Sequence, residues 1–224
     1  MCYLNPNRRE PKENTLFEAL RQREASFFVK RDEKMDLLYE AAAAWQKLIA
    51  CAYRITYGKS GVLHTITLKF DAGEFYHLAG FQYLRDLALP VRFSHAKAID
   101  AMLTGKITEA HIAKSENYEA IKERLTAITR LQAALDTSFK VFRFNPDVLP
   151  FYTKIKAENL ILAKCGEVVF LFTDQAEDGT AFSKSIFLKR ADRDFSKNQK
   201  LLSVLKVERG KRLLRISPKS DFWL

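Results

Sequence analysis

Apolar positions recur along the chain first at helical and later at strand spacing. From Met35 onward, Leu38, Ala41, Trp45, Leu48 and Ala52 return at three- and four-residue steps, which places them on one face of an amphipathic helix. Residues 1–32 are polar, with Pro6 and Pro11 early and a weak helical pattern through Leu16, Phe17, Leu20 and Phe27. They read as a loosely attached extension to about residue 33.

Two β-rich runs follow, split by Gly58-Lys-Ser-Gly61, the pattern of a hairpin with a short glycine-containing loop. In the second run Val62, His64, Ile66, Leu68 and Phe70 share one face, so the alternation predicts a half-buried strand with His64 as a core histidine. Asp71 stands where an N-cap would, with Glu74 three residues on, so a capped helix is expected to run towards Pro90. A helical section is predicted next. Ser94 caps its first helix and Gly105 ends it; Thr108 caps a short turn. Ser115 caps a long helix over 116–136, where Tyr118, Ile121, Leu125, Ile128, Leu131 and Leu135 form a core stripe.

After Asp136 the period becomes that of strands: 139–144, 156–164, 167–173 and 181–188, with turns at Cys165-Gly166 and Glu177-Asp178-Gly179, then a final pair flanking Arg209-Gly210. Adjacent strands joined by short turns imply an antiparallel meander. The fold class is therefore α+β, with N-terminal helices packed on a twisted antiparallel sheet.

Composition narrows the function. No run approaches the ~20 apolar residues of a membrane helix, and the first residues lack the apolar core of a signal peptide, so a cytoplasmic protein without a membrane partner is expected. Cys2, Cys51 and Cys165 are far apart and form no metal-binding spacing, and no cofactor signature is present; neither metal nor cofactor is predicted. The net charge is +10, and residues 189–219 hold eleven Lys/Arg against three Asp/Glu. That strip, with Lys206, Arg209, Lys211 and Arg212, suits a polyanion such as RNA.

Among the four histidines, His95 and His111 lie in polar helical segments and read as surface residues. His77 sits between Tyr76 and Leu78, with Tyr83 and Arg85 a few residues on. The surrounding run FYHLAGFQYLRD resembles the F-x-HLAG-x-x-x-L-x-D block of a phage-associated nuclease family of the barnase/EndoU/colicin/RelE group. Further blocks match in order: MDLLYEAAAAWQKLI, KITEAHIAKS, FYTKIKAENL, SKSIFL and DFSKNQKLLSVLK.

The resemblance implies helices followed by a four-stranded antiparallel sheet, and metal-free RNA cleavage by a toxin or phage-conflict effector. It implies a nuclease domain over 34–210, with a helical insert at about 91–136 and a basic strand and tail at 211–224. Matched to this sequence, His77 takes the general acid/base role. An imidazole, with an ordinary pKa near ~6.5, takes and returns a proton near neutrality. Lys154 and Lys156 match a basic pair, and their i, i+2 spacing aims both to one side of an extended segment. Ser185 matches a serine near a strand end and shares its expected face with Ser183. Gln199 matches a polar position, and Tyr83, Arg85 and Tyr152 are further substrate contacts. An antitoxin or immunity protein is the implied protein partner. The competing expectation is a non-catalytic nucleic-acid-binding or phage-conflict interaction protein on the same scaffold, held to its polyanion by the terminal basic strip.

Overall fold

A computed structural model describes residues 36–89 and 95–211. The first helix, α1 (Leu37–Ile49), is capped by Asp36, whose carboxylate accepts from the Tyr39 N–H; it buries Leu38, Ala41, Trp45 and Leu48 as its spacing predicts, and Ala42 besides, but it ends before Ala52, which lies in the first strand. Strands β1 (Cys51–Lys59) and β2 (Val62–Lys69) form the expected hairpin. Its loop is tighter than the glycine spacing suggests. Lys59 pairs with Val62, and Ser60 and Gly61 alone turn the chain, both at positive φ.

Helix α2 spans only Ala72–Leu78 and stops far short of Pro90. Gly80 ends it. At φ +88° it adopts the left-handed conformation that closes helices, and its N–H returns to the His77 carbonyl at 3.1 Å. Short 3₁₀ turns at Phe81–Tyr83 and His95–Lys97 lead to α3 (Ala98–Leu103), α4 (Glu109–Ile112) and the long α5 (Tyr118–Thr137). Ser94 lies outside the described residues. Ser115 joins α5 to the earlier chain, accepting from the Asn117 N–H and donating to the Asp86 carboxylate.

Strands β3 (Phe139–Arg143), β4 (Asn159–Cys165), β5 (Glu167–Gln175) and β6 (Thr180–Leu188) follow as an antiparallel meander, and β7 (Lys200–Lys211) completes the sheet. The turn expected at Arg209-Gly210 is absent. One twelve-residue strand runs through it, pairing Arg209 with Tyr53 and Gly210 with Ala52.

The α+β class holds, but the sheet is not an open one. Seven strands close in the order β1-β2-β6-β5-β4-β3-β7, with β7 returning to β1. The seam between β2 and β6 is parallel and only two residue pairs long, Thr67 with Thr180 and Leu68 with Ala181. Two bulges, at Thr56/Tyr57 against β7 and at Phe172/Thr173 against β6, add the local twist that curls the strands round. No periodicity in one strand reports such a closure.

The two faces of the sheet are buried differently. Ile55, Ile66, Val141, Ile161, Leu171 and Ile186 point to one face and share a core with α1, α2, α3 and α5. The helical section from 95 to 137 thus supplies part of the central core: Ile99, Met102, Ile121, Leu125, Ile128 and Leu131 all lie in it. On the other face, Phe142, Leu160, Phe170 and Phe172 pack with Phe144 and Phe195, and Phe151 and Ile155 lie against them. Burial on both sides explains why 167–172 reads as a nearly continuous apolar run.

Candidate active site

Glu74 and His77 occupy successive turns of α2, so the i, i+3 relation sets them on neighbouring positions of one side. His77 is exposed, whereas Glu74 is drawn into the junction with β6. Burial pushes the Glu74 carboxyl up to about 7, and the negative charge of Asp71 adds to the rise. The backbone N–H and hydroxyl of Ser183 pull the other way. Neither Glu74 Oε2 nor Ser183 Oγ reaches full hydrogen-bonding geometry, so the serine tempers the shift without cancelling it. Thr173, opposite Ser183 in the β5–β6 register, also buries a hydroxyl with no partner among the described residues. Unsatisfied polar atoms in an otherwise apolar core are rare, and of those among the described residues all but Gln82 Oε1 lie on these three residues.

His95 is the member that sequence reasoning missed. Its ring stacks on Tyr76 at 4.0 Å and 6°, and meets the His77 ring edge-on at 5.1 Å. Tyr76 faces the core, with Phe81 5.6 Å away, so a buried ring holds one imidazole beside the other. A polar helical setting concealed this, because seventeen residues lie between the two histidines in sequence. Two imidazoles and a carboxyl that titrates near neutrality supply the groups that acid/base chemistry needs. Among the described residues, no group of three or more His, Cys, Asp or Glu side chains is placed to hold a metal ion.

Beyond the end of α2, Tyr83 lines a cleft of about 770 Å³ together with Arg124, Phe187, Arg190, Arg193 and Phe195, among others. Arg124 Nη1 donates to the Leu78 carbonyl at 3.2 Å, and a Cβ on Gly80 would come within 3.1 Å of Arg124 Cδ. The glycine of the HLAG block therefore ends the helix and also admits an arginine from α5. Gln82 Nε2 donates to the His77 carbonyl at 3.3 Å, and Asn117 Nδ2 to the Tyr83 carbonyl at 3.2 Å, tying cleft and helix together.

A family model described as phage-Barnase-EndoU-ColicinE5/D-RelE like nuclease4 matches residues 37–216. The chain belongs to this nuclease family. No curated protein and no solved structure matches it. The match embraces the HLAG block, both histidines and every strand.

Within this family member, the remaining expected site residues are dispersed. Lys154 and Lys156 are both exposed, on a segment whose Phe151 and Ile155 lie against the aromatic cluster. Tyr152, 85% exposed, lies on the same outward side. No hydrogen bond, ion pair or ring contact among the described residues joins the two lysines to His77. Ser183 and Ser185 do not share a face: the bulge sets Ser183 opposite Thr173 and Ser185 opposite Phe172, with Lys184 in excess between them. Ser183 meets Glu74, and Ser185 lies on the outer, phenylalanine-rich side.

Gln199 spends its amide within the fold, accepting from the Asn145 N–H at 2.8 Å and donating to the Asn145 carbonyl at 2.9 Å. Arg85 is exposed. In the basic strip, Lys206 pairs with Glu208 at 2.8 Å, and Arg209 pairs with Asp136 at 2.8 Å and reaches Cys51 Sγ. Two of its four named cations are thus engaged. The Lys211 side chain and Arg212 lie outside the described residues. His64 is exposed, contrary to its expected core place. It stacks on Tyr57 at 5.7 Å where the first half of β2 extends into solvent.

Proposed function

We propose that this nuclease-family protein is a metal-independent endoribonuclease working from the end of α2. The observation that carries the reading is the edge-on pairing of His77 with His95, on the helix whose Glu74 carboxyl is raised to about 7. One imidazole takes the proton from the 2′-hydroxyl of RNA, whose oxygen attacks the adjacent phosphorus. The bond from phosphorus to the 5′-oxygen breaks, and the other imidazole gives that oxygen a proton, leaving a 2′,3′-cyclic phosphate and a 5′-hydroxyl. The substrate brings its own nucleophile, so no activated water enters. Glu74, neutral below about pH 7, leaves the approach of a phosphodiester unopposed. Lys154 and Lys156, both exposed, would meet phosphates further along the strand. In a phage-conflict setting such an activity calls for an inhibitory protein partner.

Incubation with single-stranded RNA in excess EDTA tests the reading. Wild type should release fragments ending in cyclic phosphate, and His77→Ala or His95→Ala should cut at least about a hundredfold more slowly. Intact RNA with the wild type, or equal cutting by both variants, would sink it.

A further inference from the structure

The cleft beyond Gly80 contains a cation that the acid/base cluster does not use. Helix α5 carries Arg124 between two aromatic rings, its guanidinium carbon 5.7 Å from the Tyr83 centroid and 4.5 Å from that of Phe187. Burial pulls its pKa below the ordinary guanidinium value. One N–H group is satisfied by the Leu78 carbonyl, yet no ion pair neutralises the charge among the described residues. Glu123, its neighbour in sequence, acts on it only through space and spends its direct contact on Arg190 at 3.4 Å. A half-buried cation without a direct ion pair is costly to keep, so its retention beside an open cleft argues for an arriving anion. Arg193, exposed and free of any ion pair among the described residues, lines the same space. Tyr83 adds an aromatic surface that is 51% exposed even with Arg124 over its ring. Bases in a duplex are stacked on one another, whereas an unpaired base is free to lie on such a ring.

We propose that this cleft seats the substrate strand, with Arg124 and Arg193 taking a phosphate of single-stranded RNA and Tyr83 stacking an unpaired base next to it. The proposal rests on the nuclease reading and gives that site its substrate form. The bond from Arg124 to the carbonyl of Leu78, the residue after His77, ties the cleft to the end of α2.

Fluorescence anisotropy with a labelled 2′-O-methyl single-stranded RNA separates holding from cutting, because this analogue lacks the nucleophile. Arg193→Glu and Tyr83→Ala should each weaken binding about tenfold, and Arg193→Glu should lower the slope of log affinity against log salt by about one or more. Arg124→Met should weaken binding too, but it alters a packed position, so the two exposed variants decide. Unchanged affinity in both overturns the cleft even if the wild type cleaves RNA. Binding that depends on both residues, with cleavable RNA left intact, keeps the cleft and removes the nuclease reading. Displacement by duplex RNA at equal nucleotide concentration overturns the stacked base. Displacement by millimolar inorganic phosphate overturns the RNA assignment in favour of a simple anion site.

Discussion

Glu74 links stability to pH more directly than any other described residue. Its carboxyl is raised to about 7 in the fold from an ordinary value of 4.5. Between those values the folded protein keeps a proton that the unfolded chain has released, so stability falls as pH rises through this window. The loss amounts to at most about 3 kcal/mol, complete above about pH 7. Urea unfolding at pH 5 and pH 8 should show this decline in the wild type and a smaller one in Glu74→Gln; equal declines would mean that the buried acid is not the source. Gly80 is the second residue with an outsized role. Gly80→Ala places a side chain at φ +88° and pushes it to within 3.1 Å of Arg124 Cδ. It should destabilise the protein by about 1–3 kcal/mol, seen as a lower urea midpoint.

At the scale of elements, the bulge in β6 decides which serine faces which core. With the bulge, one serine lies against the acid of α2 and the other among phenylalanines; with a regular strand they would sit side by side. The chain around Gln199 shows the same dependence on partners. The two hydrogen bonds between Gln199 and Asn145 join the start of β7 to the chain after β3. Gln199→Ala should cost about 1–3 kcal/mol in unfolding free energy while leaving affinity for single-stranded RNA unchanged. Weaker RNA binding at unaltered stability would instead restore Gln199 as a substrate contact.

For the molecule as a whole, helices and sheet share one core, so they should unfold together. Leu131 of α5 is fully buried in that core and Trp45 of α1 lies in it too. Leu131→Ala should cost about 2–5 kcal/mol and still give coincident transitions by circular dichroism and tryptophan fluorescence. Separate transitions would show that the helical section folds as its own unit. The net charge of +10 also acts at this scale, by steering polyanions towards the protein at low salt.

Local pattern was enough for the α1 stripe, the β1–β2 hairpin, the long α5 and the meander, because each is set by contacts within a few residues. The HLAG block also singles out His77 as a candidate from local sequence alone. Closure of the sheet, the bulge at Ser183 and Ser185 and the unbroken β7 depend on partners far away in the chain, and no local spacing encodes them. The pairing of His95 with His77 and the burial of Glu74 have the same origin. What the amino-acid sequence determined alone is which residues can do chemistry; which of them meet was decided by the packing of α2 against β6 and of Tyr76 against His95, since the energy that holds those contacts comes from burial across the whole core.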